Sequence, residues 1–277
     1  MDLLKEIRLS TQYTTSERWF RWYEKILPYK AERTIKIIKD YKSKDSSLLD
    51  YGCSIGLTLG FLSDEYENIF GYDIDEKVIE IARSRFLRLG KKAIFFIPKN
   101  GGECVPIDDS SIDIITSLEV IEHVKNTDAM LADIHRVLKP NGILLITTAN
   151  RLWPLEPHYH LPFLSYLPRK IADYYVKISG KGKDYSDIDL PTYGKFRREV
   201  GKYFHIQDKT LEIVKNYNKY GTDKERGKII ILVSVLLRIL EKFEEVNIIK
   251  YFCHFSYMLL SYFSLGWIFV CFPKGKK

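Results

Sequence analysis

Two groups of residues in this chain of 277 have types and spacings suited to chemistry. The first lies in Leu48-Leu49-Asp50-Tyr51-Gly52-Cys53-Ser54-Ile55-Gly56-Leu57-Thr58-Leu59-Gly60. An apolar strand runs into a glycine turn and then into a helix. Gly52 and Gly56 let backbone come close to a ligand with no side chain in the way. Cys53 and Ser54 between them offer further backbone contact. Some twenty residues on, the apolar run Ile69 to Tyr72 ends in Asp73. An acid so placed can accept hydrogen bonds from both hydroxyls of a ribose. The closely spaced Gly-x-Gly that hugs a pyrophosphate is missing. Asp50, just before the turn, repels phosphate and attracts a cation such as an amino group or a sulfonium. The combination predicts a nucleoside ligand that carries positive charge.

The second group is Glu119, Glu122 and His123, spaced i, i+3 and i+4. On a helix these three share one side. They follow the fourth apolar strand, at the carboxyl end of the sheet, where α/β folds bind ligands. Two carboxylates and an imidazole can hold a divalent ion such as Mg with positions left open. The plainer alternative is a Glu-His pair that caps and packs a helix. Downstream, Glu156-Pro157-His158-Tyr159-His160 brings two more imidazoles past the fifth strand. His158 and His160, with His123, are candidates for a general base at a hydroxyl acceptor. Loop hydrogen bonding competes with that role.

The elements that must position these groups alternate. Apolar strands are predicted at 48–52, 69–73, 93–97, 112–117 and 143–148, with helical patterns between them, which signals a parallel sheet. Val78, Ile79, Ala82, Phe86 and Leu89 form one helical stripe, and Leu131, Ile134, Val137 and Leu138 another. Lys139-Pro140-Asn141-Gly142 reads as a turn. Residues 1–45 are helical in pattern, with basic and aromatic residues interleaved from Arg18 to Tyr23. Residues 151–191, rich in proline, histidine and aromatics, are too long for a simple connection and read as an inserted lid. Residues 192–203 return to a helical pattern, and 203–212 to a strand. Residues 229–262 are strongly apolar, broken by Glu241 to Glu245. The span Tyr251 to Phe272 has the length of a membrane helix, but its serines, tyrosines and Gly266 favour a helical pair packed on the domain. That pair could touch a membrane interface through its aromatic outer face. The division is thus 1–45, 46–150, 151–191 and 192–277.

The formal net charge is +7, spread over several short clusters, which suits an anionic membrane surface, nucleic acid or plain solubility. Four scattered cysteines, 53, 104, 253 and 271, have neither disulfide nor zinc spacing and fit a reducing, cytoplasmic setting. No apolar leader is visible at the N-terminus.

Residues 48–150 resemble the class I methyltransferases of the type 11 kind, which bind S-adenosylmethionine. Leu48 to Gly56 matches their first motif. Gly71-Tyr72-Asp73-Ile74-Asp75 matches the ribose-binding acid and the residue behind it that lines the adenine pocket. Glu103-Cys104-Val105-Pro106 matches the stretch before the fourth strand, and Leu138-Lys139-Pro140-Asn141-Gly142 the turn before the fifth. Asn100-Gly101-Gly102 stands where the family commonly has Gly-Asp-Ala, so no carboxylate aligns with the adenine amino group. The resemblance implies a Rossmann-like α/β fold, with a seven-stranded, mostly parallel sheet and helices on both faces. Trp267 to Cys271 would be its last, antiparallel strand. It also implies Asp50, Gly52, Cys53, Ser54, Gly56, Asp73, Ile74, Glu103 and Leu118 as cofactor contacts.

The Glu-x-x-Glu-His segment resembles two branches in particular, the ubiquinone-pathway O-methyltransferases and the ribose O-methyltransferases that act on small RNA ends. It implies a metal site of Glu119, Glu122 and His123, completed by a later histidine, His160. The expected activity is O-methylation of a small apolar or lipid-like hydroxyl acceptor, because the lid and C-terminal region are aromatic and apolar. The rival functions are RNA ribose methylation and a non-catalytic, methyltransferase-like binding subunit.

Overall fold

The computed structural model describes residues 17–98, 104–226, 228–243 and 250–275. Asn100 to Glu103 and the segment before Glu17 lie outside them. Helix α1 (Glu17–Lys39) leads into alternating strands and helices: β1 (Leu48–Tyr51), α2 (Leu57–Leu62), β2 (Ile69–Tyr72), α3 (Glu76–Arg88), β3 (Ile94–Phe96), β4 (Ile112–Leu118), α4 (Thr127–Val137) and β5 (Leu138–Ala149). The lid carries α5 (Arg169–Ile178). After it come α6 (Tyr193–Tyr203), β6 (Phe204–Asp208), α7 (Thr210–Lys215), α8 (Tyr217–Tyr220), α9 (Thr222–Arg226), α10 (Lys228–Phe243), α11 (Lys250–Tyr262) and β7 (Gly266–Pro273). The seven strands form one sheet in the order β3-β2-β1-β4-β5-β7-β6. The first five run parallel, and β7 is antiparallel to both its neighbours.

β1 is buried at all four positions, as expected of a strand covered on both faces. One face packs on α4 and α6 through Leu131, Ile134, Val137, Phe196 and Val200. The other packs on α1, α2, α3 and α7 through Ile38, Leu59, Ile79, Phe86 and Ile213. Local caps start the helices where the pattern predicts. Asp75 accepts from the Lys77 N–H (2.9 Å) to open α3, and Asn126 accepts from the Ala129 N–H (3.1 Å) to open α4. The lid has a small core of its own around Tyr159, Leu164, Val176 and Ile188.

Four local expectations change. Lys139 to Gly142 is a bulge within β5, because Leu138 pairs with Ile112 while Ile143 already pairs with Ile114. Exposed Pro140, which has no N–H, sits where the ladder needs none. The strand expected over 203–212 stops at Asp208, whose carboxylate accepts from the Thr210 N–H (2.9 Å) and opens α7. Leu89 caps α3 beyond its buried stripe and is exposed. The helix that would have stacked Glu119, Glu122 and His123 does not form. β4 runs to Leu118, Glu119 takes a left-handed conformation (φ 59°), and only a single 3-10 turn, Ile121–His123, follows.

Candidate active site

The strand order reverses between β1 and β4, which opens a crevice at their carboxyl ends. The glycine turn fills one side of it. The Gly52 and Cys53 N–H groups both donate to the Tyr72 carbonyl (2.8 and 2.9 Å), which ties the turn to the end of β2. Gly52 has φ 83° and Gly56 φ 71°. A Cβ on Gly52 would stand 2.5 Å from Val120 Cγ2, so both the backbone and the space demand glycine. Ser54 is also left-handed (φ 47°). Its N–H donates to Asp73 Oδ2 (2.9 Å), and the Asp75 N–H donates to Asp73 Oδ1 (3.1 Å). Two backbone amides therefore hold the Asp73 carboxylate in place. A carboxylate has about four acceptor positions, which leaves lone pairs for ribose hydroxyls. Ile74 beside it is 70% exposed, a flat apolar surface next to the acid.

Asp50 is buried beneath this turn and accepts from Thr116 Oγ1 (2.7 Å). Burial raises its pKa to about 6. The Thr116 hydrogen bond opposes that rise, and the charge of Asp73 adds to it. Burial likewise raises Asp73, against the pull of its two amide donors. Both acids face a deficit of positive charge that a cationic ligand would relieve.

The second half of the site is a carboxylate–imidazole cluster. One donor atom each from Glu122, His123 and His158 lie within 4.8 Å of one another. The His123 and His158 rings meet edge to face, 5.1 Å between centroids. Thr148 Oγ1 donates to Glu122 Oε2 (3.0 Å), while Glu122 Oε1 is buried with no hydrogen-bond partner among the described residues. Burial raises Glu122 to about 7, helped by Glu119 and opposed by His158. Glu156, fully buried, forms the base of the cluster. Its Oε1 meets His158 Nδ1 at 2.7 Å, and its Oε2 accepts the N–H groups of His158 (2.9 Å) and Tyr159 (2.6 Å). Desolvation pulls the His158 pKa down, but the bond and charge of Glu156 outweigh it, and the net shift is upward. The lid clamps the 3-10 turn from outside: the Asp189 N–H donates to the Glu122 carbonyl (2.8 Å).

Glu119 and His160 stand apart from this cluster. The left-handed backbone sends Glu119 to Lys30 on α1, whose Nζ lies 3.2 Å away. His160 is itself left-handed (φ 50°). Its Nε2 is buried without a partner among the described residues, and desolvation and nearby Lys181 lower its pKa. His158 occupies the place predicted for His160. Glu103 lies outside the described residues. Glu156 and Thr148 were not predicted as site residues. A Glu-x-His spacing was the available signal for Glu156, and Thr148 carried none.

Beside the cluster lies a largely apolar cavity of about 500 Å³. Leu118, Glu119, Thr148 and Pro157 bound it next to the site. Leu145 and Ile268 form its floor on the sheet, and α1, α7, α10 and the end of α11 form its walls. Thr58, in the helix that the glycine turn opens, also lines it.

A mostly parallel sheet with a glycine turn and an acid at its switch point defines a Rossmann-like fold. The comparisons narrow this. A profile described as a methyltransferase domain matches residues 49–146, so this segment is a methyltransferase domain, similar to those of S-adenosylmethionine-dependent methyltransferases. It is 27% identical over 134 residues to a probable S-adenosylmethionine-dependent methyltransferase of Mycolicibacterium smegmatis, covering 48% of this chain and 46% of that protein. It is 29% identical over 104 residues to the ubiquinone biosynthesis O-methyltransferase of Photobacterium profundum, covering 38% and 44%. The chain thus spans about half the length of the curated relatives it matches. A crystal structure of a Pyrococcus horikoshii protein aligns over 98% of this chain and 99% of that one, with TM-score 0.53 at 14% identity. The Haemonchus contortus phosphoethanolamine N-methyltransferase 2, in complex with S-adenosyl-L-methionine, aligns over 87% and 52%, with TM-score 0.52 at 17% identity. These likenesses show the fold alone.

Proposed function

We propose that the protein transfers the methyl group of S-adenosylmethionine to a hydroxyl of an apolar or lipid-like acceptor held in the cavity. The observation that carries this reading is the junction at Leu118. There the apolar cavity meets the end of β4, two residues before Val120, which packs on Gly52, and Thr148 of the cavity wall donates to Glu122. The cofactor supplies an activated methyl group. Asp73 would hold the ribose, Ile74 would lie against the adenine, and the backbone from Gly52 to Gly56 would follow the methionine part. Asp50 would favour the positive end. The cavity walls would orient the acceptor, and alignment of the reacting atoms can contribute several kcal/mol.

The acceptor hydroxyl must also lose its proton. His158, oriented through Nδ1 by Glu156, would take it as general base. A divalent ion fits the same residues. The unpartnered Glu122 Oε1 and the two neighbouring imidazoles form a donor set of one oxygen and two nitrogens. Glu122, His123 and His158 would hold the ion, which would polarise the acceptor oxygen. Activity that survives EDTA and is unchanged in Glu122→Ala would exclude the ion and leave His158 as base.

The test of the whole reading combines two measurements. Calorimetry should show S-adenosylmethionine binding that weakens in Asp73→Ala. Incubation of a lipid and metabolite extract with deuterated methyl donor should yield a labelled apolar product by mass spectrometry. Absence of cofactor binding would end the proposal.

A further inference from the structure

The connection between β6 and β7 is far longer than a sheet edge requires. It carries five helices, and the last two, α10 and α11, form a hairpin against the cavity. Its inner side is well packed: Leu237, Leu240 and Cys253 are buried, and Tyr257 Oη donates to the Leu237 carbonyl (3.2 Å). Its outer side is apolar and exposed. Ile229, Leu232, Val235 and Ile239 on α10, with Phe255 and Met258 on α11, are all at least 43% exposed. A contiguous apolar face of this kind on a monomer marks an interaction surface.

Three observations choose the partner. First, the apolar wall is continuous from inside to outside. Ile229 and Phe263 line the cavity and are also 65% and 58% exposed. Second, cations outnumber acids on the two helices. Arg238 and Lys242 are exposed on α10, Glu241 is neutralised by Lys215 (2.7 Å), and α11 contains no acid; Glu244 and Glu245 of the connection lie outside the described residues. Third, the helices are short. Their 16 and 13 residues span about 24 and 20 Å at 1.5 Å per residue, against roughly 30 Å of bilayer core. Among the described residues no helix is long and apolar enough to cross a membrane. An amphipathic pair with cations beside its apolar face lies in the lipid interface.

We infer that the outer face of the α10–α11 hairpin docks on an anionic lipid bilayer, and that the cavity takes its acceptor from that bilayer between Ile229 and Phe263. The loading step rests on the cavity being the acceptor site, as proposed above; the docking does not. Docking places the opening at the depth of the acyl chains, so an apolar acceptor moves sideways into the cavity without crossing water.

Flotation of the full chain with vesicles tests this. Vesicles of phosphatidylcholine with one third phosphatidylglycerol should carry the protein up. Pure phosphatidylcholine, or high salt, should carry several-fold less. Leu232→Glu with Phe255→Glu, both at exposed positions, should cut the bound fraction about tenfold or more while cofactor affinity by calorimetry stays unchanged. No flotation of the native chain, or equal flotation of the variant, overturns docking. So does a native dimer that the same variant converts to monomer, since a second copy would then cover the face. A separate readout addresses the cavity: an environment-sensitive apolar dye should bind the free protein and be displaced in Val233→Trp, which fills the wall. Dye binding indifferent to Val233→Trp, with flotation intact, would overturn loading and the acceptor-site reading while docking stands.

Discussion

The two halves of the site are built in opposite ways. The half proposed for the cofactor is local and polar. Asp50, Gly52, Ser54 and Gly56 come from one stretch of seven residues, and Asp73 joins them from the neighbouring strand through the Ser54 N–H. The half proposed for the acceptor is distributed and apolar. Its walls come from α1, β4, β5, the lid, α7, α10, α11 and β7. The first half relies on backbone geometry, which tolerates almost no substitution. The second relies on shape and burial, which many residue combinations satisfy. Cofactor affinity should therefore depend on single residues, and acceptor choice on the packing of several helices.

The sharpest break should come at Gly52. Gly52→Arg needs a left-handed arginine and a Cβ inside Val120. Cofactor affinity by calorimetry should fall by more than roughly 100-fold, about 2.8 kcal/mol, in protein that circular dichroism shows to be folded. Next is His158→Ala, which removes the proposed base. The initial rate of labelled methyl transfer should drop about 100-fold or more, with cofactor affinity essentially unchanged. A loss of both together would mean that the halves are not separable.

Asp73→Ala should cost about 1.5–3 kcal/mol of cofactor binding, roughly 10- to 100-fold, and leave dye binding to the cavity intact. Val233→Trp should do the reverse, raising the acceptor KM about tenfold with no change in cofactor affinity.

The smallest effect is one of pH. Asp50 titrates near 6 in the folded protein, above its ordinary value of 3.8. The unfolded chain therefore releases this proton first. The group's contribution to stability is complete below about 4 and is lost as pH rises through 6. Cofactor binding should run the opposite way, because a cation prefers the ionised acid. Affinity should rise a few-fold, on the order of half a pKa unit in free energy, between pH 5 and 7. Asp50→Asn should flatten that slope, and a slope that survives the substitution would move the effect to another group.

Much of the fold was legible before any coordinates. All five parallel strands fall within a few residues of their predicted places, as does the antiparallel strand at Trp267 to Cys271. Period-two and period-3.6 patterns report burial directly. The glycine turn was legible for a related reason. Positive φ at Gly52 and Gly56 is a demand on residue type, so it leaves a mark in sequence. The carboxylate–imidazole cluster was only half legible. Spacing suggested a helix with Glu119, Glu122 and His123 in one stack. The end of β4 instead forces Glu119 into a left-handed turn and toward Lys30.

What the sequence determined by itself was the glycine turn and the acid beside it, because glycine, acid and strand lie within hydrogen-bond reach along one strand–turn–strand unit. Tertiary structure alone decided which histidine joins Glu122 and that a cavity opens beside them. Those relations connect residues far apart in the chain. They arise from how the lid and the last two helices pack on the sheet, and no local spacing encodes that contact.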